Sequence, residues 1–176
     1  MNLKKIALAA LVTTGLLSSS LMADVRVEKS FGYSHIGTGD NLTANGASFG
    51  YGGIYTFDDG AVKNFGIGAE ADFGLYSLDD SSNPDLNSYA YDYNFRGVVG
   101  YTFNHKVRAK VNLGYEFFVP GSSISMSGLT YGAAVSYDAF DSLGFELGYT
   151  GGSIEYSLIN QSEDFNKLRL SIIWGF

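Results

Sequence analysis

After residue 24, apolar and polar residues alternate along almost the whole chain, and the alternation comes in blocks. A period of two is the signature of a strand whose two faces meet different surroundings. Eight blocks are read, at 27–36, 47–57, 65–78, 88–103, 107–119, 129–138, 143–156 and 166–176. In the fifth, Val107, Ala109, Val111, Leu113, Tyr115 and Phe117 alternate with Arg108, Lys110, Asn112, Gly114 and Glu116. The last, KLRLSIIWGF, sets Leu168, Leu170, Ile172, Trp174 and Phe176 against Lys167, Arg169, Ser171, Ile173 and Gly175. The connections alternate as well. Short ones fall at 58–64, 104–106 and 138–142; the longer GTGDNLTANG, DDSSNPDLN, PGSSISMSG and SLINQSED are rich in turn-forming residues. GGIYTF and VVGYTF both run into a short turn, which is a hairpin period. The pair Gly151–Gly152 predicts a bulge in the seventh block.

Alternation does not say which face meets solvent, and a soluble barrel with its aromatics inside has the same period. Three observations point to lipid outside. The polar face is dense in glycine, which weakens a strand but suits the crowded interior of an eight-stranded barrel. Aromatic residues gather toward the strand ends. Tyr55, Phe57, Phe65, Tyr101, Phe103 and Tyr137 fall near the short turns, and Tyr89, Tyr91, Tyr115, Phe117 and Tyr149 near the long loops. Two such girdles match the two interfaces of a membrane. The apolar face carries almost no charge, Lys29 being the exception. A basic residue at mid-membrane there would cost about 2–4 kcal/mol. The expected fold is all-β: a closed eight-stranded antiparallel up-and-down transmembrane β-barrel, with both termini on the short-turn side. Closure gives every backbone N–H and C=O a partner, which lipid demands.

The N-terminus changes the domain picture. MNLKK followed by the apolar IALAALVTTGLL predicts a secretory signal peptide over 1–23, cut after Ala23, which leaves 24–176 as one barrel domain. The net charge of −7 becomes more negative once Lys4 and Lys5 are removed, which argues against nucleic acid as a partner. The chain has no cysteine, so neither a disulfide nor a thiolate metal site is available. No cofactor or catalytic residue is assigned.

The signal-like start, the eight alternating strands, and Phe176 with Trp174, Ile172 and Leu170 at two-residue spacing together resemble the small outer-membrane β-barrels of the OmpA/OmpX type, in their barrel part. The resemblance implies a bacterial outer-membrane location and contact with outer-membrane lipid and lipopolysaccharide. It also implies that Leu170, Ile172, Trp174 and Phe176 form the signal read by the outer-membrane assembly machinery, and a monomer is expected.

The polar faces place Glu28, Glu70, Asp72, Asp92, Glu116 and Glu146 inside with Arg96, Arg108, Lys110, Lys167 and Arg169. Near-balance of sign predicts a salt-bridged plug, because buried charges are tolerated when paired. With a three-residue turn at NHK, Gly114 lies opposite Arg96, and a diagonal Glu116–Arg96 interaction is expected. The alternatives are a narrow porin-like channel for ions or small solutes and a lipid A-modifying enzyme. The second would use His35 with Asp79, Asp80, Ser81 and Ser82 at the outer rim, similar to the His, Asp and Ser of lipid A palmitoyltransferases. A charged interior and the lack of an HxS pattern weigh against it. His105 is expected to be solvated. The longer loops carry acids and no base (Asp40, Asp79, Asp80, Asp85, Glu163 and Asp164, with Glu155 nearby). Divalent cations bridging them to lipopolysaccharide, or a cationic ligand, are the functional readings. The reading taken is a non-enzymatic outer-membrane barrel with a structural or surface-interaction role.

Overall fold

The computed structural model describes residues 25–39, 42–57, 62–80, 88–104, 106–121, 125–157 and 161–175. The expected signal peptide, Asp40, Ser81, Ser82, Asp85, His105 and Phe176 lie outside the described residues. Eight strands follow in order: β1 Val25–Thr38, β2 Leu42–Thr56, β3 Phe65–Asp80, β4 Ser88–Asn104, β5 Val107–Pro120, β6 Met126–Phe140, β7 Leu143–Tyr156 and β8 Ser162–Gly175. Each pairs antiparallel with its chain neighbours, and β8 closes on β1. The expected closed up-and-down barrel is the observed fold.

The strands run farther than alternation predicts, chiefly toward the long-loop end. β2 starts at Leu42, β6 at Met126 and β8 at Ser162, so part of each of three "long loops" is strand. The cause is inside the barrel. Ile36, Ala44, Tyr76, Leu78, Ala90, Phe118, Met126, Ile154 and Phe165 turn inward at that end and bury each other in one apolar cluster. Burying those side chains keeps the strands zipped above the charged layer. A strand such as β2, 15 residues long, spans a height near 40 Å at about 3.4 Å per residue and about 40° of tilt. An apolar belt needs only about 25 Å.

The outward face is the inverse of a soluble protein. Phe31, Phe49, Ile67, Phe73, Phe95, Val111, Leu113, Leu147, Leu170 and Ile172 are all exposed on it. An apolar surface of that extent needs lipid against it. Aromatic rings pack along it in edge contacts, Phe65 on Tyr101 at 4.9 Å and Tyr55 on Phe57 at 5.0 Å, and Tyr93 stacks on Phe117 at 4.6 Å. Lys29 also faces outward, in register with Tyr51 and Trp174.

One local expectation is corrected. No register shift occurs at Gly151–Gly152; the shifts lie at Thr102/Asn104 and Asp138/Phe140, beside the tight turns. Gly152 is small for a different reason, since a Cβ there would lie 2.5 Å from the Leu129 carbonyl oxygen of β6. The inward glycines are also not equivalent. At Gly114 a Cβ would meet Arg96 Cβ and the Phe95 carbonyl at 2.7 Å, whereas at Gly148 its nearest neighbour would be 3.6 Å away.

Candidate functional site: the charged lumen and its apolar cap

Because successive residues alternate faces, each strand contributes inward side chains at fixed heights, and the ion-paired ones stack below the apolar cluster. At the turn end, Arg26 donates to Asp138 at 2.6 and 2.9 Å and lies 3.1 Å from Glu28. Arg108 adds pairs to Glu28 at 2.5 Å and Asp138 at 3.5 Å. Lys110 stands at the centre, 2.8 Å from Glu70, 3.5 Å from Glu28 and in contact with Glu146. Arg96 holds Glu70 at 2.7 Å and Asp72 at 2.5 Å. Arg169 pairs with Asp72 and, at 2.7 Å, with Glu146. All of these are buried or nearly so except Arg26, whose side chain stays 30% exposed at the mouth.

Above them sits a separate group. Lys167 is 2.5 Å from Asp92 and 3.5 Å from Glu116. Tyr76 donates its hydroxyl to Asp92 at 2.9 Å, and Asn94 donates to Glu116 at 2.6 Å and to Thr130 at 3.3 Å. The Tyr76 ring links this group to the apolar cap. Within the cap Phe118, Ile36, Ala44 and Ile154 are fully buried, and the Phe118 and Phe165 rings lie 6.2 Å apart. Among the described residues, a narrow gap in the lumen is lined by Glu70, Arg96, Lys110, Asn112, Lys167 and Arg169, with room for about one water. Chemically the arrangement is a network of buried ion pairs beneath an apolar cluster.

Comparison with known proteins places this architecture. No family model matches the chain. No curated protein matches it either. Among solved structures, Ail, the attachment invasion locus protein of Yersinia pestis, superposes with a TM-score of 0.56 at 15% identity, covering 87% of this chain and 99% of that one. Neisserial surface protein A gives 0.53 at 14%, covering 88% and 98%. The outer membrane protein OprG of Pseudomonas aeruginosa gives 0.53 at 10%, covering 88% and 96%. The fold is that of the small outer-membrane barrels of the OmpA/OmpX type. At these identities the likeness is one of fold.

Within this small-barrel fold the eleven charged residues read as inward from the sequence all face the lumen, at the positions given above. Their partners differ from expectation in one respect. Gly114 does lie opposite Arg96, and Arg96 and Glu116 share the inner face, but they do not pair. Arg96 faces Glu70 directly across β3–β4, and Asn94 faces Glu116 directly across β4–β5. A directly opposite neighbour, at about 5 Å, wins over a diagonal one at about 7–8 Å.

Sequence reasoning missed Arg26 and Asp138, because strand one was started at 27 and Asp138 was assigned to the turn. Extending the parity of Glu28 and Ser136 by one step would have found both. It also missed the cap, whose Phe118 and Phe165 are aromatic residues on the polar parity. Glu163, expected in a loop, is an inward residue of β8 that accepts the Tyr156 hydroxyl at 2.5 Å. His35 points outward and contacts Asn45 Oδ1 at 2.7 Å, with Tyr33 donating to the same oxygen at 3.1 Å. Among the described residues His35 has no ion pair to a carboxylate. Leu170, Ile172 and Trp174 line the outward face of β8 beside β1.

Proposed function

We propose that the chain is a non-enzymatic integral barrel of a bacterial outer membrane, closed to solutes, whose outer rim makes the functional contacts. The observation that carries this reading is the pairing of the lumen charges beneath a fully buried apolar cap. A conduit would need a continuous wet path, and an apolar cluster across the lumen argues against one. The acidic character of the rim, with Asp79, Glu155 and Asp164 exposed, supports a cationic partner or divalent-cation bridges to lipopolysaccharide. Ail has been crystallised with the heparin analogue sucrose octasulfate, and an acidic rim is poorly suited to such a polyanion. The strand with Leu170, Ile172 and Trp174 is assigned the assembly-signal role by the same reading, with Phe176 completing it.

Planar-bilayer conductance of the purified, refolded barrel tests closure. The wild type is expected to be silent, and replacing Phe118 and Phe165 together by Ser is expected to produce steady small openings. Steady wild-type openings abolished by neutralising Arg96 or Lys110 would replace the closed barrel with the channel reading.

A further inference from the structure

The lumen ion pairs fall into two groups that share no residue. In the lower one, Arg26, Arg96, Arg108, Lys110 and Arg169 meet Glu28, Glu70, Asp72, Asp138 and Glu146, base for acid. The upper one holds two acids, Asp92 and Glu116, and one base, Lys167.

Asp92 and Glu116 are 0% and 1% exposed, and the apolar cap closes the lumen directly above them. Among the described residues no second base forms an ion pair with either acid. β3 contributes Tyr76, bonded to Asp92, and Asp72, already held by Arg96 and Arg169. β6 contributes Thr130 and β7 Thr150, which is in register with Lys167. Ser34 of β1 and Ser48 of β2 bond each other at 2.9 Å.

The oxygens tell the same story. Asp92 Oδ2 takes both Lys167 and Tyr76, and Glu116 Oε2 takes Asn94. Of the other two oxygens, Asp92 Oδ1 is buried without a hydrogen-bond donor, and Glu116 Oε1 has the Lys167 ammonium at 3.5 Å. The two carboxyl groups are diagonal neighbours on the inner faces of β4 and β5, and both touch the one ammonium of Lys167. Two ionised carboxylates cannot stay this close in a low-dielectric interior with one ammonium between them. A single proton on the pair removes that repulsion and leaves one negative charge against the one ammonium.

We propose that Asp92 and Glu116 form a proton-binding site that holds one shared proton at neutral pH, so that the pair carries one negative charge, matched by Lys167. The group of Asp92, Glu116 and Lys167 is then neutral beneath the apolar cap, and the barrel takes up one proton when it folds.

Infrared spectra of the barrel refolded in phosphatidylcholine vesicles at pH 7 test this. The wild type is expected to show the C=O stretch of about one protonated carboxyl per chain, shifted in D₂O. Glu116→Gln and Asp92→Asn should each remove it, and Glu155→Gln at the exposed rim should leave it. Asp92→Asn serves the same purpose if Glu116→Gln fails to fold. Absence of the band from the folded wild type overturns the proposal, as does its survival in both variants. A missing band with a urea midpoint that rises in NaCl or KCl relative to choline chloride would assign the site to a monovalent cation instead.

Discussion

Lys110 touches three carboxylates and Lys167 two, yet replacing Lys167 by Met should destabilise the barrel more than replacing Lys110. The reason is redundancy. When Lys110 is lost, Glu28 keeps Arg26 and Arg108, Glu70 keeps Arg96, and Glu146 keeps Arg169. When Lys167 is lost, neither Asp92 nor Glu116 has another base in contact. Breaking a buried ion pair by removing one partner costs about 3–5 kcal/mol, because the remaining charge is left uncompensated. Lys110→Met therefore belongs at or below the lower end, near 3 kcal/mol, and Lys167→Met at the upper end, near 5 kcal/mol. With an m-value of about 2 kcal/mol per molar urea, the two midpoints should fall by about 1.5 M and about 2.5 M. Equilibrium urea titration of barrels refolded in phospholipid vesicles, followed by Trp174 fluorescence, reads both. Equal shifts, or a larger shift for Lys110→Met, would show that the number of contacts governs these pairs and would refute the redundancy argument.

The other predictions concern the two surfaces of the barrel wall. Gly114→Ala should cost about 1–3 kcal/mol by overpacking against Arg96 and the Phe95 carbonyl. Gly148→Ala, with its nearest neighbour at 3.6 Å, should be neutral or stabilising by up to about 1 kcal/mol; the same urea assay compares them. Leu170→Arg, midway along β8 on the outward face, should cost about 2–4 kcal/mol in vesicles, and a neutral result would mean that this face does not lie in lipid.

Strand number, strand faces and the inward position of most lumen charges were legible in the chain, because side-chain alternation is a local property with a reach of two residues. That is why Lys110, Arg169 and Glu146 could be placed without coordinates, and why parity extended by one step would have added Arg26 and Asp138. Partner choice is a different kind of fact. Register across a short turn correctly set Gly114 opposite Arg96, but the choice of Glu70 over Glu116 depended on the strand at Arg96's other side. Lys110 of β5 reaching Glu28 of β1, and Lys167 of β8 reaching Asp92 of β4, join strands that lie half the ring apart. Which residues meet across the lumen depends on the stagger summed over every intervening pair, and closure alone fixes that sum. The cap follows the same logic, since Phe118 and Phe165 become a lid only when the closed ring brings their rings to one height.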